Sequence, residues 1–250
     1  ALKDQLEAAA LAWWLGSLGP RAEGLRDGFE AALDRLEPTA PVVVAEPDRL
    51  AYLLLALTAL ARGFSVMGGN PAWQAQEWQQ AAAAIGAWHT VRSGTRWPNA
   101  GAPAAAEVAA EATVKATGGP PSALPAGHLL MPTGGSSGRL RFAVHSPKTL
   151  DAAVAGYRAF FGQARLDAAC PLPVHHIAGW MCAWRSLRTG GTLTLLPARA
   201  EDLRPADADA VADAHLSLVG AQWLRWQAHP VARAVLENAS AFFLMIRRPP

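Results

Sequence analysis

A loop rich in glycine and serine lies between two strand-like runs near the middle of the chain, where residues 131–145 read MPTGGSSGRLRFAVH. Its glycines, Gly134, Gly135 and Gly138, let the backbone turn sharply and approach a ligand closely. Hydroxyl and guanidinium groups stand among and beside these glycines, on Thr133, Ser136, Ser137, Arg139 and Arg141. Backbone N–H groups, hydroxyls and a cation together are the chemistry of a phosphate-binding loop.

The common nucleotide-binding patterns do not describe this loop. The Walker pattern needs four residues between its glycines and a Lys-Ser/Thr pair after them. Here three residues separate Gly134 from Gly138, and Arg139-Leu140 follow. No GxGxxG occurs either. A Gly/Ser turn that only joins two strands would use the same residues, so composition leaves both interpretations open.

Two adjacent histidines, His175 and His176, form a second polar group downstream. On a strand they would point to opposite faces and chelate a metal poorly, so we predict no protein-bound metal there. The His-His-x-x-x-Asp pattern of condensation domains fails, because Trp180 stands at the acidic position. The structural alternative for His176 is a buried ring bonded to a backbone carbonyl.

Composition bounds the class of protein. The 250 residues are 51% hydrophobic and 17% charged, which is typical of a globular chain with room for one large domain or two small ones. The longest apolar run, residues 50–61, is too short to span a bilayer. Cys170 and Cys182 lack zinc-site spacing and indicate a reduced, cytoplasmic protein. The net charge of +2 is scattered, which argues against a nucleic-acid partner.

Helical and strand-like patterns alternate along the chain. Strands are predicted at 41–46, 64–67, 87–91, 128–131, 140–144, 170–174, 192–196 and 215–219. Helices are predicted at 2–15, 21–36, 48–63, 72–86, 147–162, 176–189 and 205–213, and more than one helix is predicted within 220–237. This alternation predicts an α/β fold of layered sheets and helices with largely parallel strands. Residues 92–127, rich in Pro, Gly and Ala, predict a connection of low order with one helical region at 104–116.

Two motifs, in order, resemble the adenylate-forming superfamily of acyl-CoA synthetases and adenylation domains. The run TGGSSGRLR (133–141) is similar to its phosphate-binding loop, and PLPVHHIAG (171–179) is similar to its Pro-Leu-x-His-x-x-Gly segment. A helix and a Gly-Gly-Thr-leading strand follow, as in the family. Within the superfamily, the chain most resembles the o-succinylbenzoate–CoA ligases of menaquinone synthesis, through Arg185 on that helix and through residues 63–80. The loop departs from the family pattern at Gly134, Leu140 and Arg141, which stand for a hydroxyl residue, a proline and a lysine.

The resemblance implies a two-step reaction. A carboxylic acid attacks Mg2+-bound ATP to give an acyl-adenylate and pyrophosphate, and coenzyme A then displaces AMP. The residues implied to hold the ATP phosphates are Thr133, Gly134, Gly135, Ser136, Ser137, Gly138 and Arg141. The partners implied are therefore a small carboxylic acid, ATP and coenzyme A, with Mg2+ as cofactor.

The same resemblance implies roles for the second motif. His176 would orient or gate the reacting carboxylate, and Arg185 would pair bidentately with the second carboxylate of o-succinylbenzoate. The alternative for Arg185 is a solvated helix face shared with Arg188. Gly179 would permit close substrate approach. Trp180 would line the aromatic pocket or simply pack in the core.

One further residue follows from a third, shorter likeness. Residues 217–222, SLVGAQ, resemble a family Ser-Leu-Val-Pro-Thr-Gln stretch near the acyl pocket. Because Gly220 and Ala221 replace the Pro and Thr, only Gln222 is carried over as a substrate residue.

The domain organisation is predicted as a partial N-terminal AMP-binding domain over 1–240, without the C-terminal lid domain. The last ten residues, AFFLMIRRPP (241–250), resemble the translated adapter tail that ends many metagenomic reading frames. The alternative is a genuine short strand with a basic end. Because the family's adenine-binding segment, ribose-binding aspartate and catalytic lysine are missing from these residues, we expect the polypeptide alone to be inactive. The rival hypotheses are another adenylating enzyme and a non-catalytic α/β binding module.

Overall fold

The computed structural model describes Trp14 and residues 18–86, 88–91, 93, 126–133 and 139–245, with the backbone alone over 243–245. The predicted helical region at 104–116 and the loop residues 134–138 lie outside the described residues, as does nearly all of the predicted helix at 2–15. The chain forms two compact units, Ala1–Leu150 and Asp151–Pro250.

The first unit is built on a five-stranded sheet. Its strands are β1 (Val42–Val44), β2 (Val66–Gly68), β3 (His89–Thr90), β4 (Leu129–Thr133) and β5 (Arg141–His145), in the order β3-β1-β2-β4-β5. Its helices are α1 (Pro20–Leu33), α2 (Arg49–Ala61) and α3 (Ala75–Ile85). The neighbouring strands run parallel except for β4 and β5, which form an antiparallel pair.

Helix α2 is the buried helix that the apolar run predicts. Residues 51–60 are all buried, so the helix has no solvent-facing stripe over this length. Its first turn is capped as predicted, because Asp48 Oδ1 accepts a hydrogen bond from the Ala51 N–H at 2.8 Å. The Arg21 guanidinium also donates to the Asp48 carboxylate at 2.8 Å. Among the described residues, no helix is both long and apolar enough to cross a membrane.

The second unit is built on a four-stranded parallel sheet. Its strands are β6 (Ala168–Cys170), β7 (Leu193–Leu195), β8 (His215–Val219) and β9 (Ala241–Met245), in the order β7-β6-β8-β9. The helices that follow β5 in the chain are α4 (Pro147–Phe161), α5 (Ile177–Thr189), α6 (Pro205–Asp209), α7 (Gly220–Gln227) and α8 (Pro230–Asn238). A short 3-10 turn, Ala200–Asp202, lies between β7 and α6.

The predicted α/β class with largely parallel strands is confirmed, and two elements differ from expectation. The strand predicted at 170–174 is β6, which lies earlier and ends at Cys170. Pro171 and Pro173 follow, and proline has no N–H to donate to a neighbouring strand. The helix predicted at 205–213 ends at Asp209, and Asp213 adopts a left-handed backbone with φ of 62°.

Strand β9 contains the first half of the predicted foreign tail. Its backbone pairs in parallel with β8, from Ala241 opposite His215 to Met245 opposite Val219. This is the arrangement that the alternative interpretation of the tail expects. Ladder hydrogen bonds use backbone groups that almost any apolar run supplies, so the origin of residues 241–250 stays a prediction.

Candidate functional site

The two ends of the Gly/Ser loop are held together by strand pairing. Thr133 ends β4 and Arg141 begins β5, and the two residues lie directly opposite each other in the antiparallel register. Thr133 Oγ1 donates a hydrogen bond to the Arg141 carbonyl at 3.3 Å, and both residues are exposed. A hydroxyl-bearing residue and an arginine therefore pair at the base of the loop. The loop residues Gly134, Gly135, Ser136, Ser137 and Gly138 lie outside the described residues, so their phosphate contacts stay predictions.

The base of this hairpin is anchored to α3. The Leu140 N–H donates to Gln80 Oε1 at 2.6 Å, and the Phe142 ring meets Trp73 edge to face, with centroids 6.4 Å apart. Leu140 and Phe142 are partly buried against the cluster that Trp73 and Trp78 form with β1, β2 and β4. The apolar contacts and the Gln80 bond hold the start of β5 against α3 and the Trp73 ring.

The second sheet has a topological switch point at the carboxyl end of β6. The chain leaves β6 for β7 on one side and later returns to β8 on the other side of β6. In open α/β sheets, ligands bind in the crevice outside the carboxyl ends of the strands at such a point. His175 and His176 follow β6 there, and Gln222 follows the neighbouring strand β8. Three predicted site residues therefore lie in the connections that leave this edge of the sheet.

The histidine pair stands in a turn before α5 and not on a strand, which corrects one premise of the sequence argument. Their rings are 4.5 Å apart at 52°, so they do not point to opposite faces. Burial and then the charge of His176 lower the pKa of His175 to about 4, and partial burial lowers the pKa of His176. Both rings are therefore neutral near pH 7. Within the described part of the chain, no group of three or more His, Cys, Asp or Glu side chains could hold a metal ion.

Gly179 and Trp180 have structural contacts of their own. A Cβ atom at Gly179 would overlap the carbonyl oxygen of Pro173, so the glycine lets the first turn of α5 approach the preceding loop. Trp180 is 1% exposed and stacks on Trp184, with ring centroids 6.2 Å apart at 21°. These contacts support the core-packing interpretation of Trp180, and a substrate role for either residue stays a prediction.

Arg185 is buried, so the solvated-face interpretation of this residue is wrong. Only 5% of it is exposed, and its Nη2 donates to Ser217 Oγ at 3.0 Å and contacts Cys182 Sγ at 3.5 Å. Its Cζ also lies 4.2 Å from the centroid of the Tyr157 ring. Arg188, one turn later, instead makes a two-point ion pair with Asp151 at 2.9 and 3.0 Å. The two arginines of α5 therefore have different environments.

The thiol of Cys182 belongs to the surroundings of Arg185. A hydrogen bond with Cys170 lowers the pKa of Cys182, and so do the nearby charge of Arg185 and a hydrogen bond with Ser217, although burial opposes them. The sequence argument interpreted both cysteines only as reduced residues without zinc-site spacing. The signal that could have found Cys182 is its spacing, since residues three apart on a helix are neighbours. Tyr157 and Ser217 carry no such signal, because they reach Arg185 from distant elements.

Gln222 caps the start of α7. Its Oε1 accepts from the Val219 N–H at 3.2 Å, and its Nε2 donates to the Ala198 carbonyl at 3.3 Å. Both ends of the amide therefore have partners within the chain, and its substrate role stays a prediction. A separate surface cavity of about 540 Å3 lies between α7, α8 and β9, lined by Trp223, Gln227, Arg233, Leu236, Glu237 and Phe242. None of the predicted site residues lines it.

Comparison with known families identifies the class of protein. Residues 27–240 match the family described as AMP-binding enzyme. Because this match covers most of the chain, the protein belongs to that family. No curated protein sequence matches the chain significantly.

Solved structures of the same fold carry several names. The amide bond synthetase McbA from Marinactinospora thermotolerans is 19% identical, with a TM-score of 0.62 over 88% of this chain and 48% of its own. A malonyl-CoA ligase with methylmalonyl-CoA and AMP bound is 17% identical, with a TM-score of 0.62 over 87% and 48%. The o-succinylbenzoate CoA synthetase MenE from Bacillus subtilis, in complex with the acyl-adenylate OSB-AMP, is 15% identical, with a TM-score of 0.61 over 90% and 60%.

These similarities define the fold and leave the substrate open. At such identities, the likeness shows the shared α/β architecture of the N-terminal region of adenylate-forming enzymes. The chain spans about half of the length of these structures, between 48% and 60%.

Proposed function

We propose that the chain is the acid- and nucleotide-binding part of an AMP-forming acid–CoA ligase, and that its acid is o-succinylbenzoate. The observation that supports o-succinylbenzoate as the acid is the buried guanidinium of Arg185. This residue lies on the helix that begins at the switch point of the second sheet. A fixed, desolvated guanidinium is the side chain best suited to two-point recognition of a carboxylate. o-Succinylbenzoate has two carboxylates, of which one reacts and one is left to be recognised.

The reaction proceeds in two balanced steps. A carboxylate oxygen attacks the α-phosphorus of ATP, and the bond from that phosphorus to the pyrophosphate oxygen breaks. The coenzyme A thiol then attacks the acyl carbon, loses its proton and releases AMP. Mg2+ bound to the ATP phosphates would offset their charge.

The residues of the chain hold and orient the reactants. Thr133 and Arg141 supply a hydroxyl and a cation at the base of the loop, which would bind the β- and γ-phosphates together with its backbone N–H groups. His176, whose lowered pKa keeps it neutral, would orient the reacting carboxylate by a hydrogen bond without a competing ion pair. Arg185 would bind the second carboxylate.

The test compares two acids on the full-length protein. o-Succinylbenzoate is assayed beside 3-benzoylpropionate, which is the same molecule without the carboxylate on its ring, by pyrophosphate release. Arg185→Lys keeps the charge and loses the fork, so we expect kcat/KM for o-succinylbenzoate to fall about 10- to 100-fold, as for a lost charged hydrogen bond. The value for 3-benzoylpropionate should stay within about twofold. Arg188→Lys, on the same helix and paired with Asp151, is the matched control. Equal losses for both acids would refute the substrate role of Arg185.

A second candidate is a different adenylating enzyme. The similar structures include an amide bond synthetase and a malonyl-CoA ligase, so one fold serves several acids and acceptors. This variety supports a different adenylating activity as the alternative. A panel of aryl, fatty and malonyl acids assayed on the full-length protein separates these substrate classes.

A third candidate is a non-catalytic binding module. Unchanged ATP affinity of the full-length protein after Gly135→Val with Ser136→Ala would support it.

Two expectations concern the extent of the polypeptide. We expect residues 1–250 alone to show little or no adenylation, and robust o-succinylbenzoate-dependent pyrophosphate release by them would contradict this. A fresh read of the encoding DNA across codons 236–250 tests the tail. A frame that continues into an aromatic-Gly-x-Thr-Glu segment and a late lysine would support a foreign tail and a complete ligase.

A further inference from the structure

Buried and half-buried polar and aromatic side chains from α4 and β8 lie around Arg185 of α5. Tyr157 comes from α4, and His215 and Ser217 come from β8, two residues apart and therefore on one face of the sheet. The Arg185 Cζ lies 4.2 Å from the Tyr157 ring centroid, and its Nη2 lies 3.0 Å from Ser217 Oγ. His215 is 1% exposed and Ser217 is also 1% exposed, so water has little access to these contacts.

A chain of hydrogen bonds also holds the Tyr157 ring. The Tyr157 hydroxyl is 3.1 Å from His215 Nδ1, and His215 Nε2 is 2.6 Å from Gln163 Oε1. With Gln163 Oε1 as acceptor, His215 carries its proton on Nε2, and its bare Nδ1 accepts from the tyrosine hydroxyl. Burial and then the charge of Arg185 lower the pKa of His215, which agrees with this neutral tautomer.

From this arrangement we infer that Tyr157 is a positioning residue, which holds the guanidinium of Arg185 in the plane where it can receive a carboxylate. The ring face provides an electron-rich surface for the cation. A hydroxyl that donates a hydrogen bond to His215 leaves the ring more electron-rich, so the His215 and Gln163 contacts strengthen that surface. Ser217 then fixes the remaining rotation of the guanidinium.

The inference deepens the proposed function and rests on it only for the consequence in substrate selection. Contacts with Tyr157, Ser217 and Cys182 reduce the conformations that Arg185 would lose when an acid binds, and such preorganisation increases affinity. Tyr157 would therefore affect the KM for an acid with a second carboxylate. It would leave the KM for ATP unchanged, because it has no role toward the phosphates.

Phe161 provides the matched control within the same cluster. Its ring lies 4.6 Å from that of Tyr157 and 4.8 Å from that of His215, so it supports the same side chains by packing. It is one turn further along α4, and the guanidinium lies over the Tyr157 ring. A purely structural role for Tyr157 predicts that Tyr157→Leu and Phe161→Leu have the same kinetic effects.

The first experiment measures KM and kcat of the full-length protein for o-succinylbenzoate, 3-benzoylpropionate and ATP. For Tyr157→Leu we expect the KM for o-succinylbenzoate to rise at least fivefold, with kcat, the KM for ATP and the KM for 3-benzoylpropionate within about twofold. Tyr157→Phe, which keeps the ring, should raise it about twofold. Phe161→Leu should change none of them beyond its effect on the amount of folded protein. Parallel changes in Tyr157→Leu and Phe161→Leu would overturn the inference.

The second experiment needs no knowledge of the acid. Tyr157→Leu and Arg185→Met are made singly and together in the full-length protein, and each is unfolded with urea. If the ring holds the guanidinium, the double variant loses less stability than the sum of the two single losses. Additive losses would overturn the inference. Non-additive losses would support the positioning of Arg185 by Tyr157 even if the protein did not distinguish the two acids. Failure to distinguish the acids would refute only the proposed substrate.

Discussion

The β4–β5 hairpin and helix α5 hold their charged groups by different means. At the hairpin, Thr133 and Arg141 are exposed, and their relative position is set by backbone pairing. On α5, Arg185 is buried, and side chains from three elements surround it. A phosphate presents several oxygens that backbone N–H groups can bind, whereas a single planar carboxylate needs a guanidinium with a fixed orientation. The comparison indicates that the loop should tolerate changes in its surroundings and that α5 should not.

The largest expected effect is at the start of α5. Gly179→Ala places a Cβ atom against the Pro173 carbonyl oxygen, so α5 or the preceding loop must move. We expect a loss of roughly 1–3 kcal/mol in the free energy of unfolding, measured with urea. Gly156→Ala, in the middle of α4 with no atom within 4 Å of the added Cβ, is the control and should gain about 0.5–1 kcal/mol. Stabilisation by both substitutions would contradict the close contact between the first turn of α5 and the Pro173 carbonyl.

The next effect concerns Arg141 of the hairpin, where a substitution should change the Kd for ATP and leave the free energy of unfolding unchanged. Arg141→Gln removes the cation at the base of the loop, so we expect the Kd for ATP of the full-length protein to rise about tenfold, as for one charged hydrogen bond. Arg139→Gln is the matched control, since Arg139 is also exposed but precedes β5. Its Kd should change less than twofold, and the urea midpoint of both variants should match that of the unmodified protein. Equal effects on the Kd from both variants would contradict a specific role for Arg141.

A smaller effect follows from the low pKa of His175. Burial and the charge of His176 lower it to about 4, whereas an unfolded histidine has a pKa of about 6.5. As the pH falls, the unfolded state therefore binds a proton first. The contribution is fully present above about pH 6.5 and is lost progressively down to about pH 4. We expect a lower urea midpoint at pH 4.5 than at pH 7, and a smaller difference in His175→Gln.

An NMR titration of the His175 ring measures the same quantity directly. In His176→Gln one of the two causes is absent, so the pKa of His175 should rise toward its ordinary value while remaining below it. A His175 pKa near 6.5 in the unmodified protein would show that the pair is open to solvent and that α5 begins less tightly than described.

The smallest effect concerns the hydrogen bond between the Leu140 N–H and the Gln80 side chain. Gln80→Ala removes the acceptor of the Leu140 N–H bond, and a partly buried N–H is left to water. We expect a loss of about 1 kcal/mol in the free energy of unfolding. Gln79→Ala, at the exposed neighbouring position of α3, should stay within about 0.5 kcal/mol. A loss above that of Gly179→Ala would reverse the comparison between the two regions.

The sequence predicted those elements whose signals are local. The Asp48 cap, the buried run of α2 and the bounds of β8 all follow from neighbouring residues, and the structure confirms them. The alternation of strands and helices likewise predicted the α/β class. The strand near residue 170 was placed too late, because its apolar residues continue past the prolines that end it.

The contacts of Arg185 depend on residues far away in the chain, and no local pattern encodes them. The spacing along α5 could place Cys182 near Arg185, but Ser217 lies 32 positions later and Tyr157 approaches from the preceding helix. The family motif indicated that this arginine matters, and only the folded chain shows that it is buried. The depressed pKa of His175 is equally a result of tertiary burial.

The register of the β4–β5 pair also bears on how this protein can change over generations. Because Thr133 lies opposite Arg141, the register of the pair does not depend on the length of the segment between them, and insertions or deletions there would leave Phe142 facing Trp73. A single residue inserted after Arg141 would turn Phe142 to the opposite face and expose its ring. Related sequences should therefore differ in length between Thr133 and Arg141 and keep a constant length after Arg141, so that loops of different length can join the same pair of strands.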